Sequence, residues 1–218
     1  MHIPDGFVSN PIALATYVVS AGAVALALQR AKRNLDERQV PLLGVTAAFI
    51  FAAQMLNFPV AGGTSGHFLG ALLAAILLGP LNAILIMALV LLIQCLVFAD
   101  GGLTALGVNV FNMGVLAGGA GYFIFRGLNF LLPKNRAGFL AAAGVAAWLS
   151  VELAASACAM ELALSGVSPL KLVFPAMALV HALIGIGEAV ITAAVLSVVL
   201  AARRDLIPAA TLPREASA

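Results

Sequence analysis

Long apolar runs, each closed by a turn signal or a cluster of charges, constrain this chain more than any other feature of its sequence. A helix needs about 20 apolar residues to cross the hydrocarbon core of a bilayer. Charged residues make up only 9% of the 218 residues, whereas they form roughly 25% of ordinary soluble domains. Seven apolar segments are predicted, at 11–28, 41–58, 67–78, 81–98, 103–125, 137–164 and 173–202.

We therefore expect an all-α integral membrane protein, a bundle of about seven helices. Residues 1–205 would form one multi-span domain, and residues 206–218 a short polar cytoplasmic tail. The third segment is short, because the stretch from His67 to Gly79 makes a helix of about 20 Å against a core of about 30 Å. We predict a short, broken third helix, preceded by a GGTSG loop that dips into the membrane and lines a cavity.

The positions of the basic residues predict the orientation, because basic loops are retained in the cytoplasm. With the amino terminus outside, seven crossings place ten of the 11 Lys and Arg residues inside, within 29–40, 126–136 and 203–218. A six-span alternative would move residues 126–136 to the outer face and lose this agreement. The net charge of +2 is too small to predict a nucleic-acid partner.

A cleaved secretory signal is the competing interpretation of the first segment, because AGAVALA offers small residues to a peptidase. No Lys or Arg precedes that segment, and the basic cluster follows it. Cleavage would leave these charges on the wrong side of the membrane, so we expect Met1 to remain.

The first residues, MHIPDGF, offer a metal chelate. The terminal amine, the amide nitrogen between Met1 and His2, and Nδ1 of His2 can close two fused rings on one cation. A deprotonated amide favours the square-planar geometry typical of Ni(II) or Cu(II). Because the terminal amine titrates near ~8, metal binding should weaken as the pH falls.

His67 is the candidate for the fourth donor. It lies where the GGTSG loop rejoins the third segment, on the same predicted outer face as the amino terminus. The competing interpretations are an exposed His2 and a His67 that only caps or packs a helix. Asp100 and Asn109, in DGGLTALGVNVFN, are expected in a further outer loop over this pocket, or in a simple turn and helix start.

Three ionisable residues, Glu152, His181 and Glu188, fall inside predicted spans, where such groups are costly and usually paired or functional. His181 and Glu188 are seven residues apart, which places them on one helix face. They could form a structural polar pair, orient the metal site or relay protons. Cys95 and Cys158 lie in apolar runs and are interpreted as packing residues.

Small residues recur at helical spacing, which favours close packing inside the bundle; a docking face for a partner subunit is the alternative. These residues are Ala21, Ala25, Gly44, Ala48, Ala52, Gly114 and Gly118.

Four stretches, MHIPDGF, GGTSGHFLGALLAAILLGP, FADGGLTALGVNVFNMG and PAMALVHALIGIGEA, resemble the signature stretches of the CbiM/NikM family. Its members are the nickel- and cobalt-specific substrate-binding membrane (S) components of energy-coupling-factor (ECF) ABC transporters. The resemblance implies a seven-helix bundle with an outward amino terminus inserted into its centre. It also implies metal ligands at Met1, His2 and His67. Ni(II) is the expected cargo, and Co(II) the alternative.

The resemblance further implies partners: a transmembrane coupling protein (CbiQ/NikQ-like), ABC ATPases (CbiO/NikO-like) and a small accessory membrane protein (CbiN/NikN/NikL-like), expected as a separate chain. The chain lacks the GxxxxGK[ST] phosphate loop, so ATP hydrolysis would be supplied by those ATPases and the chain itself would not be an enzyme. The expected location is the inner membrane of a prokaryote, in contact with lipid, with the amino terminus outside and the carboxyl terminus cytoplasmic.

Two other functions remain possible from the residues. An intramembrane metalloenzyme is disfavoured because HExxH is absent and a planar shell leaves no in-plane position for an activated water. A stand-alone proton- or ion-coupled carrier would work through Glu152, His181 and Glu188 and would not need a free amino terminus.

Overall fold

Helices form most of the described part of the chain in the computed structural model, which describes residues 1–36, 39–60 and 64–207. We number the seven helices as follows: α1 Asn10–Asn34, α2 Gln39–Gln54, α3 Ala71–Leu78, α4 Pro80–Phe98, α5 106–131, α6 Arg136–Leu164 and α7 Leu170–Ala202. Strands β1 (Phe58–Val60) and β2 (Thr64–Gly66) pair as an antiparallel hairpin, and a short 3₁₀ turn, Arg204–Leu206, follows α7. The predicted all-α bundle of seven helices is confirmed.

Five helices, α1, α4, α5, α6 and α7, are long and apolar enough to cross a membrane, whereas α2 is apolar but has only 16 residues. Large apolar side chains lie exposed on the outside of the bundle, for example Leu14 of α1 and Leu183 of α7. In a membrane such side chains contact lipid tails and carry no desolvation cost. The predicted tail, 206–218, lies almost entirely outside the described residues, as do residues 62 and 63 of the GGTSG loop.

The third helix is short, as predicted, but its predicted start at His67 is wrong. Helix α3 begins at Ala71, because Gly70 adopts a left-handed φ of +72° that stops the helix from extending backwards. All eight residues of α3 are buried, so this helix lies in the interior of the bundle. It ends at Leu78, Gly79 caps it with a φ of +86°, and Pro80 starts α4 directly.

Replacing Gly70 tests this turn. A Cβ atom there would lie 2.7 Å from Cγ1 of Ile50 and would occupy a backbone conformation that L residues avoid. We expect Gly70→Ala to lower the free energy of unfolding by about 1–3 kcal/mol, measured by denaturation in detergent. Gly44→Ala is the matched control, because that glycine is helical and faces open space. Equal stabilities of the two variants would contradict the strained turn.

Helix α5 is continuous but changes its winding, with α-helical ends at Leu106–Val110 and Gly121–Leu131 and a π-helical middle at Phe111–Ala120.

Gly114 and Gly118 lie in that middle section and pack against α4 and α3, which confirms their predicted packing role. For the small residues of α1 and α2 the prediction of packing within the bundle is wrong, because Ala21, Ala25, Gly44, Ala48 and Ala52 are exposed. Cys158 is buried in α6, in agreement with a packing role, and Cys95 is partly buried in α4.

Candidate metal centre

The amino terminus is folded into the bundle, as the sequence predicts. Met1 and Ile3 are 0% exposed and His2 is 3% exposed. The backbone of Ile3 is held on both sides, because its N–H donates to Oδ1 of Asn109 at 2.9 Å and its carbonyl accepts from Nδ2 of Asn109 at 3.1 Å. Gly102 N–H donates to the same carbonyl at 2.9 Å. These bonds replace the water that an extended terminus would bind.

The bend after Ile3 is fixed by a second set of contacts. Gly6 takes a left-handed φ of +83°, which turns the chain towards α1. Oδ1 of Asp5 accepts hydrogen bonds from the backbone N–H of Thr104 at 2.6 Å and from its hydroxyl at 2.5 Å. These bonds lower the pKa of Asp5 because they stabilise its carboxylate. The loop that contains Asp100 and leads to Asn109 therefore covers the terminus, as expected.

The Met1 amine and the His2 amide both contact the β-hairpin at Ser65. The amine of Met1 donates to the carbonyl oxygen of Ser65 and, at 3.2 Å, to its hydroxyl. The amide N–H of His2 donates to the same hydroxyl at 3.3 Å. Nothing in the sequence singles out this serine beyond its place in the GGTSG loop.

Burial changes the protonation of the Met1 amine and of the His2 imidazole. It lowers the pKa of the Met1 amine to about 5, although the nearby Cys158 and Asp100 oppose the shift. Burial, and then the charge of the Met1 amine, lowers the pKa of His2 to about 3. Both groups are therefore neutral at pH 7, with electron pairs on nitrogen, whereas the unperturbed amine would be mostly protonated.

The ring of His2 lies between a buried amide and a carboxylate. Its Nε2 is 3.1 Å from Oε1 of Gln94, and its Nδ1 is 3.3 Å from Oδ1 of Asp100. Both ring nitrogens of His2 therefore have an oxygen neighbour, and the carboxylate of Asp100 lies beside the nitrogen that the chelate would use. Sequence reasoning missed Gln94. Its signal was an amide side chain in the middle of the apolar part of α4, because the other amide of this helix, Asn82, lies in the first turn.

His67 is fully buried beside His2. The two rings stack with centroids 4.5 Å apart and planes 25° apart. Nδ1 of His67 donates to the carbonyl of Phe68 at 2.8 Å, and its Nε2 has no hydrogen-bond partner within the described part of the chain. The structure thus brings together Met1, His2 and His67, the three residues predicted to form a site.

Side chains alone do not form this site. Among the described residues, no group of three or more His, Cys, Asp and Glu side chains is arranged to hold a metal ion. A metal centre here would need the terminal amine and a backbone amide in addition to the imidazoles.

Glu188 fixes the backbone that follows His67. Its two carboxylate oxygens accept hydrogen bonds from the N–H groups of Leu69, at 2.8 Å, and Gly70, at 2.7 Å. His181 binds the backbone too, because its Nδ1 donates to the carbonyl of Met177 at 2.8 Å. The two side chains are two helical turns apart, about 10 Å along the axis, so they do not form the polar pair that was one interpretation of their spacing.

Glu188→Gln tests the contact between α7 and this loop. An amide keeps one acceptor oxygen, so one of the two N–H groups would lose its partner and the position of His67 would loosen. Calorimetric titration with a divalent metal ion measures the effect on the candidate centre, and we expect an affinity about 10–100-fold weaker, the usual cost of losing a group that orients a ligand. Glu152→Gln in α6 is the matched control and should bind the ion like the unchanged chain.

Further buried polar contacts were missed by sequence reasoning. Gln54 of α2 donates to the carbonyl of Leu69 at 2.8 Å, and Asn112 of α5 donates to Glu161 of α6 at 2.6 Å. Gln54 and Asn112 are polar residues in mainly apolar helices, which is the signal that could have found them.

The comparisons with known proteins agree with this architecture. Residues 2–206 match the profile of the CbiM family, described as the cobalt uptake substrate-specific transmembrane region. The chain belongs to the CbiM family. The family resemblance of its four signature stretches is therefore confirmed, and the chain is a multi-pass membrane transport protein of the CbiM type.

Several CbiM-type relatives are similar over most of the chain. A putative fused nickel transport protein NikMN of Archaeoglobus fulgidus is 45% identical over 98% of this chain and 70% of its own length. A putative cobalt transport protein CbiM of Halobacterium salinarum is 41% identical over 68% of both chains. The crystal structure of a truncated transition metal transporter superposes with a TM-score of 0.84 at 34% identity, covering 92% of this chain and 99% of the other.

Proposed function

We propose that this chain is the high-affinity substrate-binding membrane subunit of an ECF-type ATP-driven importer of nickel(II), with cobalt(II) as the alternative cargo. The observation that carries the proposal is the complete burial of Met1 beside His2 and His67. Chain termini are usually poorly ordered unless something ties them down. A terminus that is buried and hydrogen-bonded points to a role for its own nitrogen atoms.

Four nitrogens form the proposed binding plane: the amine of Met1, the amide nitrogen and Nδ1 of His2, and Nε2 of His67. The low pKa values of Met1 and His2, about 5 and about 3, support it because neutral nitrogens bind metals. The unpartnered Nε2 of His67 supports it as well. Since the two rings stack face to face, one imidazole must turn before a nitrogen of each ring can point at the same ion.

The donor set favours nickel. Planar sites of nitrogen donors suit Ni(II) and Cu(II), and intrinsic affinity alone would favour copper. Selection of nickel over copper therefore depends on the shape of the site and on which metal ions the cell's surroundings supply. Relatives named for nickel transport support nickel as the cargo, and relatives named for cobalt transport keep cobalt as the alternative.

The proposed partners supply the energy and the inward release. These are a transmembrane coupling protein and two ABC ATPases, which would act on a chain placed in the inner membrane with its amino terminus outside and its carboxyl terminus in the cytoplasm. Names of fused relatives such as NikMN support a small accessory membrane protein as a further partner. The exposed small residues of α1 and α2 offer a close-packing face for the coupling protein.

The alternative is a stand-alone proton- or ion-coupled carrier that uses Glu152, His181 and Glu188. Nickel uptake by cells separates the two functions. We expect uptake when the chain is expressed with the coupling protein and ATPases, background uptake when it is expressed alone, and no loss with Glu152→Gln. Uptake by the chain alone that Glu152→Gln abolishes would overturn the importer proposal in favour of the carrier.

A further inference from the structure

An open cavity of about 300 Å³ lies directly over the buried amino terminus. His2, Ser65, Asn57 and Asp100 are among the residues that line it. The first two belong to the candidate metal centre, and the last two have no part in the proposed nitrogen plane. The cavity therefore connects the surface to the centre, and its chemistry decides what can pass.

Asp100 stands between the surface and His2. Its Oδ2 accepts a hydrogen bond from Nδ2 of Asn57 at 2.7 Å, which fixes the orientation of the carboxylate. Its Oδ1 faces Nδ1 of His2 at 3.3 Å, and the hydroxyl of Ser65 is 3.5 Å from the same nitrogen. Asn57 thus holds Oδ2 of Asp100 in place, and Oδ1 lies between the cavity and Nδ1 of His2.

The contact between Asp100 and His2 joins two kinds of group that bind metal ions. Nδ1 of His2 and Oδ1 of Asp100 lie 3.3 Å apart on the wall of the cavity, so a cation that enters the cavity meets both atoms. Carboxylate and hydroxyl oxygens are also the donors that a hydrated divalent ion accepts first, in exchange for its waters.

We infer that this cavity is a capture site for a hydrated divalent transition-metal ion, with Asp100 as its carboxylate ligand, from which the ion passes to Nδ1 of His2. The inference rests on the proposed function and adds a step before it. A fixed negative charge that lines a cleft attracts cations and raises association rates by about 10–10³-fold. The final four-nitrogen plane does not contain Asp100.

Stopped-flow mixing of the purified chain with Ni²⁺ tests the inference. We expect Asp100→Asn to slow association about 10-fold or more at low ionic strength. The slowing should disappear in high salt, which screens the carboxylate. The dissociation rate and the absorption spectrum of the loaded protein should stay unchanged. Asp100→Glu should keep most of the rate, and Asp205→Asn, which makes the same change in net charge at the far end of the chain, should keep all of it.

Two results would overturn the inference: an association rate for Asp100→Asn equal to that of the unchanged chain, or an altered spectrum of the loaded variant, which would make Asp100 a permanent ligand. Failure of the proposed function is a different result. In that case the unchanged chain would bind no nickel, or would bind it equally well with its terminal amine blocked.

Discussion

A chain with one alanine added before Met1 is expected to lose nickel binding by at least about 100-fold. The addition converts the Met1 amine into an amide in the middle of the chain, so a neutral nitrogen donor disappears and the chelate loses its first ring. The Met1 amine also donates to the hydroxyl of Ser65 at 3.2 Å, so an added residue would have to displace this buried contact. Losing a contact that only orients a ligand costs 10–100-fold, and losing a ligand should cost more.

Calorimetric titration with Ni²⁺ measures this loss, and two controls show its cause. The same alanine added after Ala218 should leave the affinity unchanged. A longer amino-terminal extension that a protease removes to restore Met1 should recover full affinity after cleavage, which separates blocked coordination from misfolding. Nickel binding by the extended chain at the original affinity would contradict a role for the terminal amine.

His67→Gln should have the second largest effect. Glutamine keeps a polar side chain of similar reach but removes the imidazole nitrogen that completes the plane. We expect nickel affinity to fall by about 100-fold or more, which is at least the largest loss found when a group that only orients a ligand is removed. The absorption bands of the planar complex should change as well. Calorimetry and absorption spectroscopy of the same samples measure both effects.

Phe68→Leu is the matched control for this variant. Phe68 contributes its backbone carbonyl to Nδ1 of His67, so a change of its side chain leaves that hydrogen bond in place. The control should bind nickel with nearly the original affinity and spectrum. If His67→Gln instead behaved like Phe68→Leu, the fourth donor would have to be another group.

The helices and the meeting of Met1, His2 and His67 could be predicted because both follow from membrane physics. Apolar length sets the number of helices. The basic loops set the side of the membrane on which the terminus and the GGTSG loop were expected, and a short third segment demands a loop below the surface. These arguments use only the order of residues along the chain.

The precise start of α3 and the partners of the site could not be predicted in the same way. Gly70 stops α3 from beginning earlier because its φ is positive, and a sequence shows that a glycine is present but not its torsion angle. Gln94, Ser65 and Asn109 reach the terminus from different parts of the chain, so their roles depend on tertiary distances. The small residues of α1 were misassigned because spacing on a helix does not show which face meets the bundle.

The candidate site joins features that would each be unremarkable alone. A histidine at position 2 gains significance because the terminus is buried, and the terminus is buried because Asn109 and the loop around Gly102 hold Ile3. Glu188 in turn fixes the loop that presents His67. Metal ligation, fold and backbone hydrogen bonding are therefore coupled in this chain.

X-ray absorption at the nickel K edge of the loaded, purified protein tests the central claim most directly. The account predicts the edge feature of planar four-coordinate Ni(II), with a scattering shell of nitrogen atoms and no sulfur. A six-coordinate edge, or a nickel–sulfur shell from Met1 or a cysteine, would contradict it.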